Sequence, residues 1–205
     1  MMANVVIIAG GFRSGSTLQY NLLGEYVEHA GLGRRIGYVN PDESDAVVVA
    51  AAVTPGLMVA KCHTIAPGFH AFERAGAWGD HVRSGAAVAV LTHREQAGTE
   101  RSMCRKFDIR PEDLHSSAVW HENNANLALW RPLAVLDQEY ADLTERPKEA
   151  LAELLRTLQV RVKRRSIRHA VAATSVERVA QHQRTIEPGT WDPVTLVHWD
   201  HIAEH

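Results

Sequence analysis

The sequence predicts an α/β fold, a central parallel sheet flanked by helices, on three observations. Short apolar runs rich in β-branched or small residues recur at 5–9, 57–60, 86–91 and 133–137, the pattern of strands buried on both faces. Stretches of helical periodicity separate them, and parallel strands need crossovers of that kind. Between the first run and the first helical stretch lies a glycine-rich loop, Gly10-Gly11-Phe12-Arg13-Ser14-Gly15-Ser16. Right-handed crossovers then bring the C-terminal ends of the strands, and the loops after them, to one edge of the sheet.

The elements follow in order. After the first strand, apolar residues at Leu18, Leu22, Leu23 and Tyr26 predict a helix from Thr17 to about Gly31. Gly31, Gly33 and Gly37 loosen the next connection, and Asp42 is placed to cap a helix running to about Val53. Pro55-Gly56 resets the chain before the second strand, which leads into Lys61-Cys62-His63-Thr64. A helix over 69–82 precedes the third strand, which ends at Thr92-His93-Arg94. Another helix reaches about Phe107, and Pro111-Glu112-Asp113 opens one extending to Trp130. After the fourth strand, Pro147 opens an amphipathic helix with Ala150, Leu151, Leu154, Leu155 and Leu158 on one side. A last helix spans 166–182, and a turn-rich tail follows.

Composition narrows the class. A chain of 205 residues, 45% hydrophobic, fits a single domain over 1–205 with a sizeable core. A net charge of −2 gives no reason to expect nucleic acid as partner, and the first apolar run is too short for a signal peptide or a membrane span. Cys62 and Cys104 stand apart without metal-ligand spacing, which fits a reducing cytoplasm and no disulfide.

The loop carries the chemistry. A glycine-rich turn at a helix N-terminus offers unpaired N–H groups and a positive dipole end, which suit a phosphate; the plainer reading is a tight turn of an ordinary α/β protein. Gly10, four residues, Gly15 and then Thr17 match the Walker A spacing, but Ser16 stands where the NTPase lysine belongs. The positive charge lies inside the loop, at Arg13. Lys61 and His63, two apart at a strand end, leave on the same face with Cys62 opposite. Arg94, followed eight residues later by Ser102, makes a reasonable phosphate clamp or an ordinary solvated helix start.

Together these segments resemble the sulfotransferases. Arg13-Ser14-Gly15-Ser16-Thr17 is similar to their 5′-phosphosulfate loop, Lys61-Cys62-His63 to their Lys-x-His, and Arg94 with Ser102 to their 3′-phosphate pair. Tyr140-Ala141-Asp142-Leu143 and Thr174-Ser175-Val176 resemble two further segments, the second of which touches adenine. The resemblance implies a three-layer P-loop-type domain and, as donor, 3′-phosphoadenosine 5′-phosphosulfate (PAPS), leaving adenosine 3′,5′-bisphosphate (PAP). It implies no required metal. His63, Lys61 and Arg13 would be catalytic, His63 as general base. Arg13, Ser14, Gly15, Ser16, Thr17, Leu18, Arg94, Ser102, Tyr140 and Thr174 would bind the donor. Leu18 and Val176 stand where many members carry aromatic residues, so the adenine site would rely on aliphatic contact and on Tyr140. The family's Arg-Lys-Gly-x-x-Gly segment does not occur in the sequence, which implies a shortened C-terminal part or another basic group in its place.

Other signals carry less. His198-x-x-His201-x-x-x-His205 aligns on one helix face without a carboxylate or cysteine to complete a metal set. The basic run 161–168 reads as a solvated helix entry, and Asp137 as a strand-end acid. The leading function is a PAPS-dependent sulfotransferase acting on a small-molecule or glycan acceptor. A P-loop phosphotransferase and a bisphosphate-nucleotide-binding module without turnover are the alternatives. Acceptor-lining residues are expected around 34–45, 64–80 and 108–125.

Overall fold

The computed structural model describes residues 4–64 and 77–200. Its strands are β1 (Val5–Gly10), β2 (Gly33–Tyr38), β3 (Leu57–Lys61), β4 (Ala87–His93) and β5 (Ala134–Glu139). They form one parallel sheet in the order β2-β3-β1-β4-β5. The helices are α1 (Ser16–Ala30), α2 (Ser44–Val53), α3 (Ala77–Arg83), α4 (Gln96–Phe107), α5 (Ala118–Trp130), α6 (Tyr140–Glu145), α7 (Pro147–Thr157), α8 (Arg164–Ala173) and α9 (Val176–Gln183).

Strand alternation divides the core in two. Val6 and Ile8 of β1 face α1, α7 and α8, where Leu23, Tyr26, Leu151, Leu154, Leu155 and Ile167 are buried. Val5, Ile7 and Ala9 face the other way, toward Ala51 of α2, Trp78 of α3 and Trp130 of α5. A parallel sheet covered on both faces results, which is why its inner strands β1, β3 and β4 read as unbroken apolar runs. Beneath the loop after β1 lies a buried polar chain. The Thr92 hydroxyl donates to the Gln19 amide oxygen, Gln19 donates to Gln138 at 2.9 Å, and Gln138 donates to the Ala150 carbonyl at 3.0 Å. It ties α1, β4, β5 and α7 together with each amide satisfied.

Four expectations need correction. The stretch after α1 is a strand, not merely a loose connection: among the described residues β2 pairs only with β3 and lies at the sheet edge, where Arg34 and Gly37 are tolerated. Arg35 holds it to α1 through Glu25 and Glu28, both at 2.7 Å. Asp42 caps nothing; Asn40 and Glu43 form the capping box of a 3₁₀ turn, Pro41–Glu43, ahead of α2. Residues 111–130 are two elements, a 3₁₀ segment Pro111–Ser116 and α5, because the Ser117 hydroxyl accepts from the Trp120 N–H and starts a new helix. Residues 166–182 are likewise split into α8 and α9, with Ser175 capping the second through the Arg178 N–H. Of the helix expected over 69–82, residues 69–76 lie outside the described residues. No helix among the described residues is long and apolar enough to cross a membrane.

Candidate active site

A cleft of about 450 Å³ opens at the C-terminal edge of the sheet. Strand register assembles it: parallel pairing sets Ile8 opposite Lys61 and Gly10 opposite Thr92, so β1, β3 and β4 end side by side. In the loop after β1, Arg13 (φ 62°) and Gly15 (φ 96°) are both left-handed, and α1 begins at Ser16 without a side-chain cap. The Leu18 N–H donates to the Gly15 carbonyl at 2.9 Å, whereas the Ser16 and Thr17 N–H groups have no acceptor among the described residues and stand at the positive end of the helix dipole. Gly15 is required twice over, by its φ and because a Cβ there would fall on the Tyr140 ring.

Lys61 is buried, and its Nζ donates to the Thr17 hydroxyl at 2.9 Å. Burial, then the Arg13 charge, push its pKa down to about 8. His63 is clamped on three sides. Its N–H donates to the Tyr38 hydroxyl at 3.2 Å, its carbonyl accepts from the Trp130 indole at 2.8 Å, and its Nδ1 lies 2.8 Å from the Gly10 carbonyl oxygen. A carbonyl can only accept, so Nδ1 carries the proton of the neutral ring and Nε2 carries the lone pair. Burial, then Lys61, push the imidazole pKa down to about 3, against the opposing effect of the Gly10 bond. Cys62 packs into the opposite core, and burial raises its thiol to about 12.

Arg13 Nε donates to the Ser102 hydroxyl at 2.9 Å, and the Arg94 guanidinium stands 4.7 Å over the Tyr140 ring. The cleft thus brings together Arg13, Gly15, Ser16, Thr17, Leu18, Lys61, His63, Arg94, Ser102, Tyr140 and Thr174. Ser14 is not among its lining residues. It is buried beneath the loop against Gly10, and its hydroxyl has no hydrogen-bond partner among the described residues. Among the described residues that line the cleft, four are cations, Arg13, Lys61, Arg94 and Lys106, and none is a carboxylate. Asp137 lies elsewhere, held by His93 at 2.6 Å and Arg131 at 3.1 Å.

Several lining residues escaped the sequence reading. Phe12 stands edge-on to Phe107 at 5.8 Å and 5.2 Å from the His63 ring, and Lys106, Val197 and His198 complete that side. A signal existed for Lys106, which follows Ser102 by one helical turn. Of the stretches 34–45, 64–80 and 108–125, the first brings Tyr38 beside His63, with ring centroids 5.9 Å apart. Residues 65–76, His201 and His205 lie outside the described residues.

No family model matches the chain, and no curated protein matches it in sequence. Solved structures do match in fold. Mouse sulfotransferase SULT7A1 complexed with PAP superposes with a TM-score of 0.60 at 11% identity, over 95% of this chain and 70% of that one. Retinol dehydratase with retinol and PAP gives 0.56 at 14% identity, over 88% and 67%. Retinol dehydratase with androsterone and PAP gives 0.57 at 14%, over 87% and 66%. The chain therefore spans about two thirds of the length of these structures. At such identities the likeness is one of architecture, and the chain has the sulfotransferase fold.

Proposed function

We propose that the protein is a sulfotransferase that moves the sulfuryl group of PAPS to a hydroxyl or amine of a small-molecule acceptor and releases PAP. The observation that carries this reading is the convergence of three distant segments, the 10–17 loop, Lys61 with His63, and Arg94 with Ser102, on one cation-lined cleft. PAP in all three neighbours supports the donor, and retinol and androsterone in two of them support a small acceptor. Free Cys62 and Cys104 support a reducing cytoplasm as its compartment.

In this reading the loop N–H groups and the Ser16 and Thr17 hydroxyls hold the 5′-phosphosulfate, Arg94 and Ser102 the 3′-phosphate, and Leu18, Tyr140 and Thr174 the adenine. The acceptor oxygen attacks sulfur while His63 Nε2 takes its proton. The bond from sulfur to the bridging oxygen breaks, and its electron pair stays on PAP, stabilised by Arg13 and Lys61. The donor's negative charge raises the depressed pKa values of Lys61 and His63 as it arrives. One contact favours this over phosphoryl transfer. In a Walker loop the Thr hydroxyl ligates Mg²⁺, whereas the Thr17 hydroxyl here accepts from the Lys61 ammonium.

The test is PAP release from PAPS across a panel of hydroxyl and amine acceptors, with calorimetry of PAP binding alongside. His63→Ala should lower turnover by about 10²–10⁴ and leave PAP affinity within a few-fold. Wild-type protein that binds no PAP would end the reading; full turnover in the variant would remove His63 as base.

A further inference from the structure

We infer that Lys106 is a cation of the 3′-phosphate site, and that Asp200 holds the place at its ammonium that the phosphate takes. The inference rests on the donor reading above. A phosphate monoester carries close to two negative charges near neutrality, and that reading sets Arg94 against them at Ser102, whose hydroxyl is itself held by Arg13 Nε at 2.9 Å.

Arg94 and one face of α4 present a row. The Arg94 side chain starts two residues before the helix and reaches its first turn, with Nε against the position a Cβ would take on Gly98. Ser102 is one turn further and Lys106 one turn beyond that, so the hydroxyl is flanked by a cation on either side. Ser102 and Lys106 both line the cleft. The Lys106 Nζ is paired with both Asp200 oxygens, at 2.7 and 3.0 Å. That carboxylate comes from the C-terminal segment whose Val197 and His198 close the same side of the cleft. Its charge is felt at Arg13 as well, where it opposes the burial that holds the guanidinium pKa below its ordinary value. Asp200 thus stands as an anion at the rim of a cleft lined by cations.

The pair is suited to exchange. Its side chains keep 30% and 35% of their exposure, and an ion pair so placed adds little to stability. A doubly charged phosphate at Ser102 is the stronger partner, and as Lys106 turns to it, Asp200 is released to solvent.

Calorimetry with PAP and with adenosine 5′-phosphate, on wild type, Lys106→Met and Asp200→Asn, tests this. Wild type should prefer PAP. Lys106→Met should reduce that preference by about tenfold or more, the worth of one charge-assisted bond, while its affinity for the 5′-phosphate stays within about a factor of two. Retained binding of the 5′-phosphate also reports that the variant is folded. Asp200→Asn should bind PAP several-fold more tightly. An unchanged preference in Lys106→Met, equal weakening of both nucleotides, or weaker PAP binding in Asp200→Asn would each overturn the inference and leave the donor reading standing. Wild type that binds both nucleotides alike would overturn the two together.

Discussion

With its ammonium on the Thr17 hydroxyl and Arg13 close by, Lys61 has a pKa near 8 and is about half protonated at that pH. An anion settling in the loop raises that pKa, so binding takes up protons. Calorimetric PAP titrations at pH 8 in buffers of different ionisation enthalpy should show net uptake, small at pH 6.5, where Lys61 is already charged. Lys61→Met should bind without uptake at pH 8. Equal uptake in the variant would assign the proton to another group. At this scale the sequence was most informative where side chains follow strand periodicity, as at Lys61 and His63. It was least informative for Lys106, since a lysine late in a helix is ordinary, and for His198, whose spacing from His201 and His205 suggested a helix face and not a place in the cleft. The three bonds that fix His63 come from Tyr38, Gly10 and Trp130, and no local pattern announces such a clamp.

At the scale of elements, the loop after β1 and the junction of β5 with α6 interlock through Gly15 and Tyr140. Gly15→Ala adds both a left-handed strain and a clash with the ring, so it should destabilise the protein by more than about 1 kcal/mol and weaken PAP binding. Tyr140→Ala in the same chain removes the clash and leaves the strain, so the double variant should recover part of the loss in urea unfolding. If Gly15→Ala unfolds at the wild-type midpoint, the interlock has no energetic weight. β1, β3 and β4 were legible because burial on two faces leaves an uninterrupted apolar run, and β5, the other edge strand, because its apolar stretch runs as far as Asp137. β2 was not: an edge strand may carry Gly33, Arg34 and Gly37, and its apolar cover is partly the stem of Arg35 lying on α1. The breaks at Ser117 and Ser175 were visible in principle, each being a helix-capping residue within a longer helical stretch.

For the molecule as a whole, these buried groups set a response to acid. Folded His63 refuses a proton that the unfolded chain accepts between about pH 6.5 and 3, so stability falls as pH drops through that window. Burial opposes ionisation of Glu28 and Asp200, but Arg35 and Lys106 respectively overrule it and hold both below their ordinary values. Their contributions are present above the unfolded carboxylate range and vanish below it, in the same direction. Urea midpoints should therefore decline steadily below pH 6.5, and more gently in His63→Gln between pH 6.5 and 4. Parallel curves for the two proteins would show that His63 carries no such linkage. The central place of β1 has one more consequence, which concerns synthesis. Its neighbours β3 and β4 begin at Leu57 and Ala87, so the run Val5–Gly10 leaves the ribosome well before either partner exists. Until then it is an uncharged, β-branched segment with both edges bare, the composition most prone to pairing with the wrong chain. The strand that carries the glycine-rich loop is thus made before both of its partners and completed only when β4 arrives, and it is the strand of this sheet for which a nascent-chain chaperone would matter most.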